Sequence, residues 1–450
     1  MNLRRFGSGL IVVAMATWSH AASPVPVKGR TVARLFWQND ADATVQCGDL
    51  KKSANGWAIE RLPIEGFPSL DPDRQSLVQM RMHDGLLLVG VRETEDGTIG
   101  NGWIAIESGV EEEPHGDHSH WRYSSTPKVS RSLIDTEQGN PAHVYKCDDS
   151  FVLANDSKNG FTVTSAEQIR QAKTNADAAT FYRGGNGHIT LAVDPNKVAY
   201  ATWIAPAGPD SGRVDVIGLG NNEGKSYSFQ CPSGMLHGAT MNAGKAFFAP
   251  LDGICWVAVD EELTVSPDSV AVHHLSLGKD EEDNPLRTGA FVNSGDHVVF
   301  TAGKGAATKL CWVDASADQP AVNSLPIQVD EGEAASTPVL MKSRYGDSLA
   351  VLFGQFKETP EKDRMVIFNL DPNRDGQFDD AKLHQSVGIG PNQMMGHSGY
   401  HGVTMLPDRR HALVTNPGDG SLWVISLRDF QVRGKLDLDG TPTRLLVTGG

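Results

Sequence analysis

Residues 111–123, "EEEPHGDHSHWRY", gather His115, His118 and His120 within six positions, behind three glutamates and around Asp117. An imidazole is a metal ligand when neutral and a proton carrier near neutral pH, so the stretch reads as a metal clamp, a proton-handling site or a solvated polar loop. His118 and His120 stand two apart, and on an extended segment they project from one face and can give two ligands to one ion. Three further histidines share a local pattern. His188 in "GGNGHITLAV", His237 in "GMLHGATM" and His401 in "SGYHGVTM" each have a glycine close by and each precede a small or apolar strand. Three or four imidazoles drawn from these positions, with Asp117 or a glutamate, would make a tetrahedral Zn2+ site. The competing reading of each lone histidine is a core residue hydrogen-bonded to backbone. Met394 and Met395 before His397 are the one hint of copper.

The chain has 15 histidines in all. His83, His273, His274, His297, His384 and His411 sit in polar, turn-like contexts and read as surface residues, while His143 and His397 carry no assignment. In "DPNRDGQFDD", Asp371, Asn373, Asp375 and Asp379 follow the spacing of a calcium loop, but Lys382 stands where the bidentate glutamate is needed. The expectations are either a structural Ca2+ pinning a loop or a plain Asp-rich turn. None of the five cysteines lies in a CxxC pair, which disfavours a four-cysteine zinc site. Cys231 and Cys255 are close in sequence and flank one strand unit, so they are the candidate disulfide, and the odd count leaves a thiol over. No GxxxxGK[ST] loop and no GxSxG elbow occurs, and no catalytic residue is assigned.

The elements that must hold these residues are strands. Gly 47 and Pro 24 signal many turns, and short Val/Ile/Phe-rich runs end repeatedly in Gly, Asn or Asp. "KAFFAPLDGICWVAVDE", "HVVFTAGKGAATKLCWVDAS" and "HALVTNPGDGSLWVISLRD" share one pattern of apolar run, turn and second apolar run. Such units begin near Ala33, Leu86, Phe151, Val198, Ala246, Val298, Leu349 and Ala412, roughly 50 residues apart, which is the period of β-propeller blades. The predicted fold is all-β, a β-propeller of eight blades, with seven as the alternative because the first unit is atypical. "TPTRLLVTGG" reads as a strand that closes the ring on the first blade and so removes exposed sheet edges. The longest interval carries the His-rich insertion, in a loop on one face of the scaffold.

Residues 1–21 read as a signal peptide, with Arg4 and Arg5, an apolar stretch and a Ser19-His20-Ala21 cleavage site. Residues 22–450 then form a single propeller domain in an exported compartment, the periplasm. No later segment is apolar enough to insert in a membrane. The formal charge of −15 becomes two units more negative once Arg4 and Arg5 are removed, which argues against nucleic acid or an anionic membrane surface as partner.

The stretches "HGDHSHWRY", "HVYKCDDSFVLANDSKNG", "CPSGMLHGATMNAGKAFFAPLDGI" and "HGVTMLPDRRHALVTNPGDGSLWVISL" resemble the AztD family, from about residue 80 to the end. That resemblance implies a β-propeller that binds zinc through histidines. It implies a periplasmic metallochaperone that hands zinc to the solute-binding protein of a zinc ABC transporter. It makes His118 and His120 the expected ligands with His188 and His237 as companions, gives His115 and Asp117 a recruiting role, and supports the Cys231–Cys255 bridge. The chain departs from the family in having no histidine in "SPVPVKGRTVARLF", near the mature N-terminus. A monomer is expected. The rival readings are a propeller enzyme, a metal-dependent hydrolase or a dehydrogenase working in the central channel, and a metal-free protein-binding scaffold.

Overall fold

In a computed structural model the described residues are 28–93, 98–116 and 118–450. The expected signal peptide, residues 1–21, and Asp117 lie outside them. Short apolar strands joined by tight turns fold into eight antiparallel sheets in a ring, seven of four strands and one of five, with a separate two-stranded hairpin. The chain is therefore an eight-bladed β-propeller, with eight rather than seven units.

Blade 4 shows why these sequences make blades. Its strands are Leu191–Asp194, Val198–Thr202, Arg213–Gly218 and Ser226–Gln230, ordered from the channel outward. The second strand, VAYAT, is buried throughout, because a blade is covered on both faces by its neighbours. In the outermost strand only Phe229 is buried, and the polar residues around it meet solvent. Each apolar cluster spans two blades: Val198, Tyr200 and Val214 of blade 4 pack with Ala246, Phe248 and Cys255 of blade 5. Truncating a buried phenylalanine such as Phe248 to alanine costs about 3–5 kcal/mol in a core of this kind.

The first blade explains its atypical sequence. Arg30–Asn39, Thr44–Ser53 and Gly56–Leu62 supply three strands, and Pro442–Thr448 from the C-terminus supplies the fourth, innermost one. Trp37 faces Leu445 and Leu35 faces Val447 in this closure.

The chain enters every innermost strand from one face of the ring, here called the front, and leaves it at the back. Loops between blades, and those between second and third strands, therefore lie at the front. Loops between third and fourth strands lie at the back. This places the His-rich insertion. It forms the hairpin Glu111–His115 and His118–Arg122, between the third strand of blade 2, Asn101–Glu107, and the fourth, Lys128–Asp135. The hairpin therefore projects from the back. Its neck is clamped by Arg34, whose guanidinium donates to the Ser108 carbonyl at 2.8 Å and the Ser125 carbonyl at 2.7 Å while paired with Asp49. Among the described residues no helix is long and apolar enough to cross a membrane.

Candidate metal centre

Three imidazoles converge at the front of the channel: those of His143, His188 and His237. His143 is the third residue of the innermost strand of blade 3, Pro141–Cys147. His188 and His237 stand in the loops that lead into the innermost strands of blades 4 and 5, Leu191–Asp194 and Ala239–Asn242. Positions at the front ends of three adjacent innermost strands thus meet, although they are far apart in sequence. The two loops are tied together, since Thr190 Oγ1 accepts from the Gly238 backbone N–H at 3.1 Å. Gly238 adopts φ +139°, and a Cβ there would press within 3.1 Å of the Gly289 backbone.

One ring nitrogen from each histidine lies within 4.8 Å of the other two. Nitrogens around a tetrahedral zinc with bonds of about 2.0–2.1 Å sit about 3.3 Å apart, so small side-chain movements bring all three into range. The outer nitrogens are already committed. His188 Nδ1 donates to Asp156 Oδ2 at 3.0 Å, and His237 Nδ1 donates to the Gly289 carbonyl at 3.0 Å. With those protons outside, both Nε2 lone pairs point inward, the tautomer a metal needs. His143 Nε2 lies 2.9 Å from His188 Nε2, so it donates its proton to that lone pair, and a metal would take the place of this proton. Burial first, then the charges of His188 and His237, push His143 down to about 3. It is neutral through the physiological range and ready to ligate.

Asp156 is itself held. Its Oδ1 accepts from the Ile189 N–H at 3.1 Å and its Oδ2 pairs with Arg92 at 3.2 Å. Burial raises its pKa, but the His188 and Ile189 hydrogen bonds and the Arg92 charge outweigh that and hold the carboxyl below its usual range. It orients His188 as a carboxylate behind a ligand does.

The solved structures similar to this chain include AztD from Citrobacter koseri, with a TM-score of 0.62 and 13% identity over 94% of this chain and 99% of that one. Apo AztD from the same organism gives 0.62 and 14%, with the same coverage. A protein provisionally assigned as a 6-phosphogluconolactonase from Bacteroides fragilis gives 0.51 and 9%, over 94% of this chain and 100% of that one. At these identities the likeness is one of fold. The chain is similar to AztD along nearly its whole length. No protein-family model matches it, and no curated protein does.

The structure brings together two of the residues singled out in the sequence, His188 and His237, with one that was not. His143 escaped notice because "NPAHVYK" lacks the neighbouring glycine that marked the others. Its place at the start of an innermost strand was the available signal. His401 holds the corresponding place on blade 8, across the ring, before the strand Val403–Met405. Its ring is buried, with Nε2 bonded to Asp363 at 2.7 Å and Nδ1 to the Thr415 carbonyl at 2.8 Å, so it stands apart from the triad as a satisfied core residue. His115 and His120 lie on the back hairpin, 5.6 Å apart between ring centroids, and His118 pairs with His115 across it. His297 is not on the surface but buried against Phe378, at 4.0 Å between ring centroids.

Asp371, Asn373 and Asp375 turn their side chains onto their own loop. Asp371 accepts from the backbone of Asp375 and Gly376, and Asn373 Oδ1 accepts from Asp375. Asp380, not the exposed Asp379, closes the loop on the Asn373 N–H at 3.0 Å. These carboxylates form no converging group of three ligands among the described residues. Cys231 and Cys255 are buried side by side. They are free thiols in mutual hydrogen bonding rather than a disulfide, and that contact, with burial, pushes the Cys231 thiol well up.

Proposed function

We propose that this protein binds Zn2+ through His143, His188 and His237 and delivers it, as a periplasmic metallochaperone, to the solute-binding protein of a zinc ABC transporter. The observation that carries the metal reading is the convergence of three imidazoles with two tautomers fixed from behind. Delivery, the periplasm and the identity of the receiver rest on the resemblance to the AztD family. A cargo site suits this geometry better than a catalytic one. Both oxygens of Asp156 are engaged, so it is not free to serve as the base a zinc-bound water would need. Three protein ligands leave a fourth position through which a receiver can take the metal. The test is a competitive zinc titration: the wild type binds one zinc tightly, and a His143→Ala/His188→Ala variant of unchanged fold does not. Equal binding by the variant would end the reading.

A further inference from the structure

The innermost strands of blades 1 and 3 begin alike. Pro442 pairs with Asn39 and Pro141 pairs with Asn155, and in each strand the register then slips by one residue at a bulge. The residue that follows the bulge position is His143 on blade 3 and Arg444 on blade 1. Arg444 therefore occupies, one blade beyond blade 2, the place in the channel wall from which His143 reaches the triad. Its side chain is exposed, yet the protein around it holds its pKa below the usual arginine value, chiefly by burial, as befits a group in an enclosed, water-accessible channel. Asp40 lies close enough to oppose that shift but forms no ion pair with it, since its carboxylate is taken by the Gly399 N–H and the Thr443 hydroxyl. Among the described residues Arg444 makes no hydrogen bond and no salt bridge, and its charge reaches both His143 and Arg81. Arg81, farther along the channel, is pulled down to about 10 by burial and by that same charge.

A cation whose charge reaches the imidazole cluster is an unusual lining for a metal site in an acidic protein. A divalent ion bound there meets like charge, and among the described residues no carboxylate joins the converging ligand group. An anion resolves both problems. We propose that Arg444 anchors an anion subsite in the channel, and that the site takes a small carboxylate, one oxygen of which fills the fourth coordination position of the metal held by His143, His188 and His237. A planar guanidinium with all of its donors free matches a carboxylate geometrically, as a lysine would not. This inference rests on the zinc reading and adds the ligand that completes it.

The Co2+ form of the full mature chain reports the coordination directly, through its visible absorption. Sodium acetate should shift that spectrum saturably, where sodium perchlorate at the same ionic strength does not. Arg444→Gln should need at least about ten times more acetate, the loss expected for a charge-assisted pair, and Arg444→Lys should fall between the two. Should Arg444→Gln fail to fold, the lysine variant and the wild-type response still decide the matter. A cobalt spectrum unmoved by acetate, or an Arg444→Gln variant saturating at the wild-type concentration, overturns the subsite and leaves the metal site standing. Absence of any cobalt spectrum in the wild type overturns both.

Discussion

At the scale of single residues, the triad works through what stands behind it. Asp156 fixes the tautomer of His188 from the loop of a neighbouring blade, and removing its charge leaves the ring free to turn. Asp156→Asn should weaken zinc binding by about 10–100-fold, the range for carboxylates behind metal-bound histidines, with the fold intact. A competition titration against a chromophoric chelator measures it, and an unchanged affinity would show that the carboxylate is ornamental. The low pKa of His143 has a second consequence. Above about pH 6.5 the imidazole is neutral folded or unfolded. As pH falls toward about 3 the unfolded chain takes up a proton that the folded one refuses, so stability is full above this window and is lost through it. The urea midpoint of the metal-free protein should therefore fall between pH 6.5 and pH 4, and less steeply in His143→Gln.

At the scale of elements, the hairpin and the triad are on opposite faces, and the sequence did not reveal this. Counting strands around the insertion would have needed the boundaries Asn101–Glu107 and Lys128–Asp135, which lie beside a mixed polar stretch with no clean alternation. The blades themselves were legible, because a strand buried on both faces, such as VAYAT, reads as an unbroken apolar run. So were His188 and His237, whose glycines mark the turn into an innermost strand. His143 enters its strand through Pro141 and Ala142 and leaves no such mark. The hairpin, on the opposite face, therefore does not complete the triad's coordination, and His115 and His120 lie apart from it. Replacing Glu111–Arg122 by a short Gly-rich turn should leave zinc affinity at the triad within about two-fold, since sites without shared partners behave independently. If isothermal titration shows the tight site vanishing with the hairpin, the assignment of the ligands to blades 3, 4 and 5 fails.

At the scale of the whole molecule, the ring makes stability and metal binding separable. The triad joins blades 3, 4 and 5, whereas the closed first blade is packed against blade 8 by apolar contacts such as Leu413 with Leu35 and Trp37. Leu413 is fully buried, and Leu413→Ala should cost about 2–5 kcal/mol by opening a cavity. The channel wall at the triad is on the other side of the ring, held by its own clusters, so the zinc affinity of that variant should match the wild type. In the proposed reading zinc binds the folded ring in preference to the open chain, so it should stabilise both proteins, by about 2.7 kcal/mol when free zinc is a hundred times the dissociation constant. Calorimetry with and without zinc separates the terms. Equal increments mean that closure and binding are independent. A much smaller increment in Leu413→Ala would mean that the three blades hold their imidazoles in place only under the constraint of a closed ring, and that the site is a property of the circle rather than of its own arc.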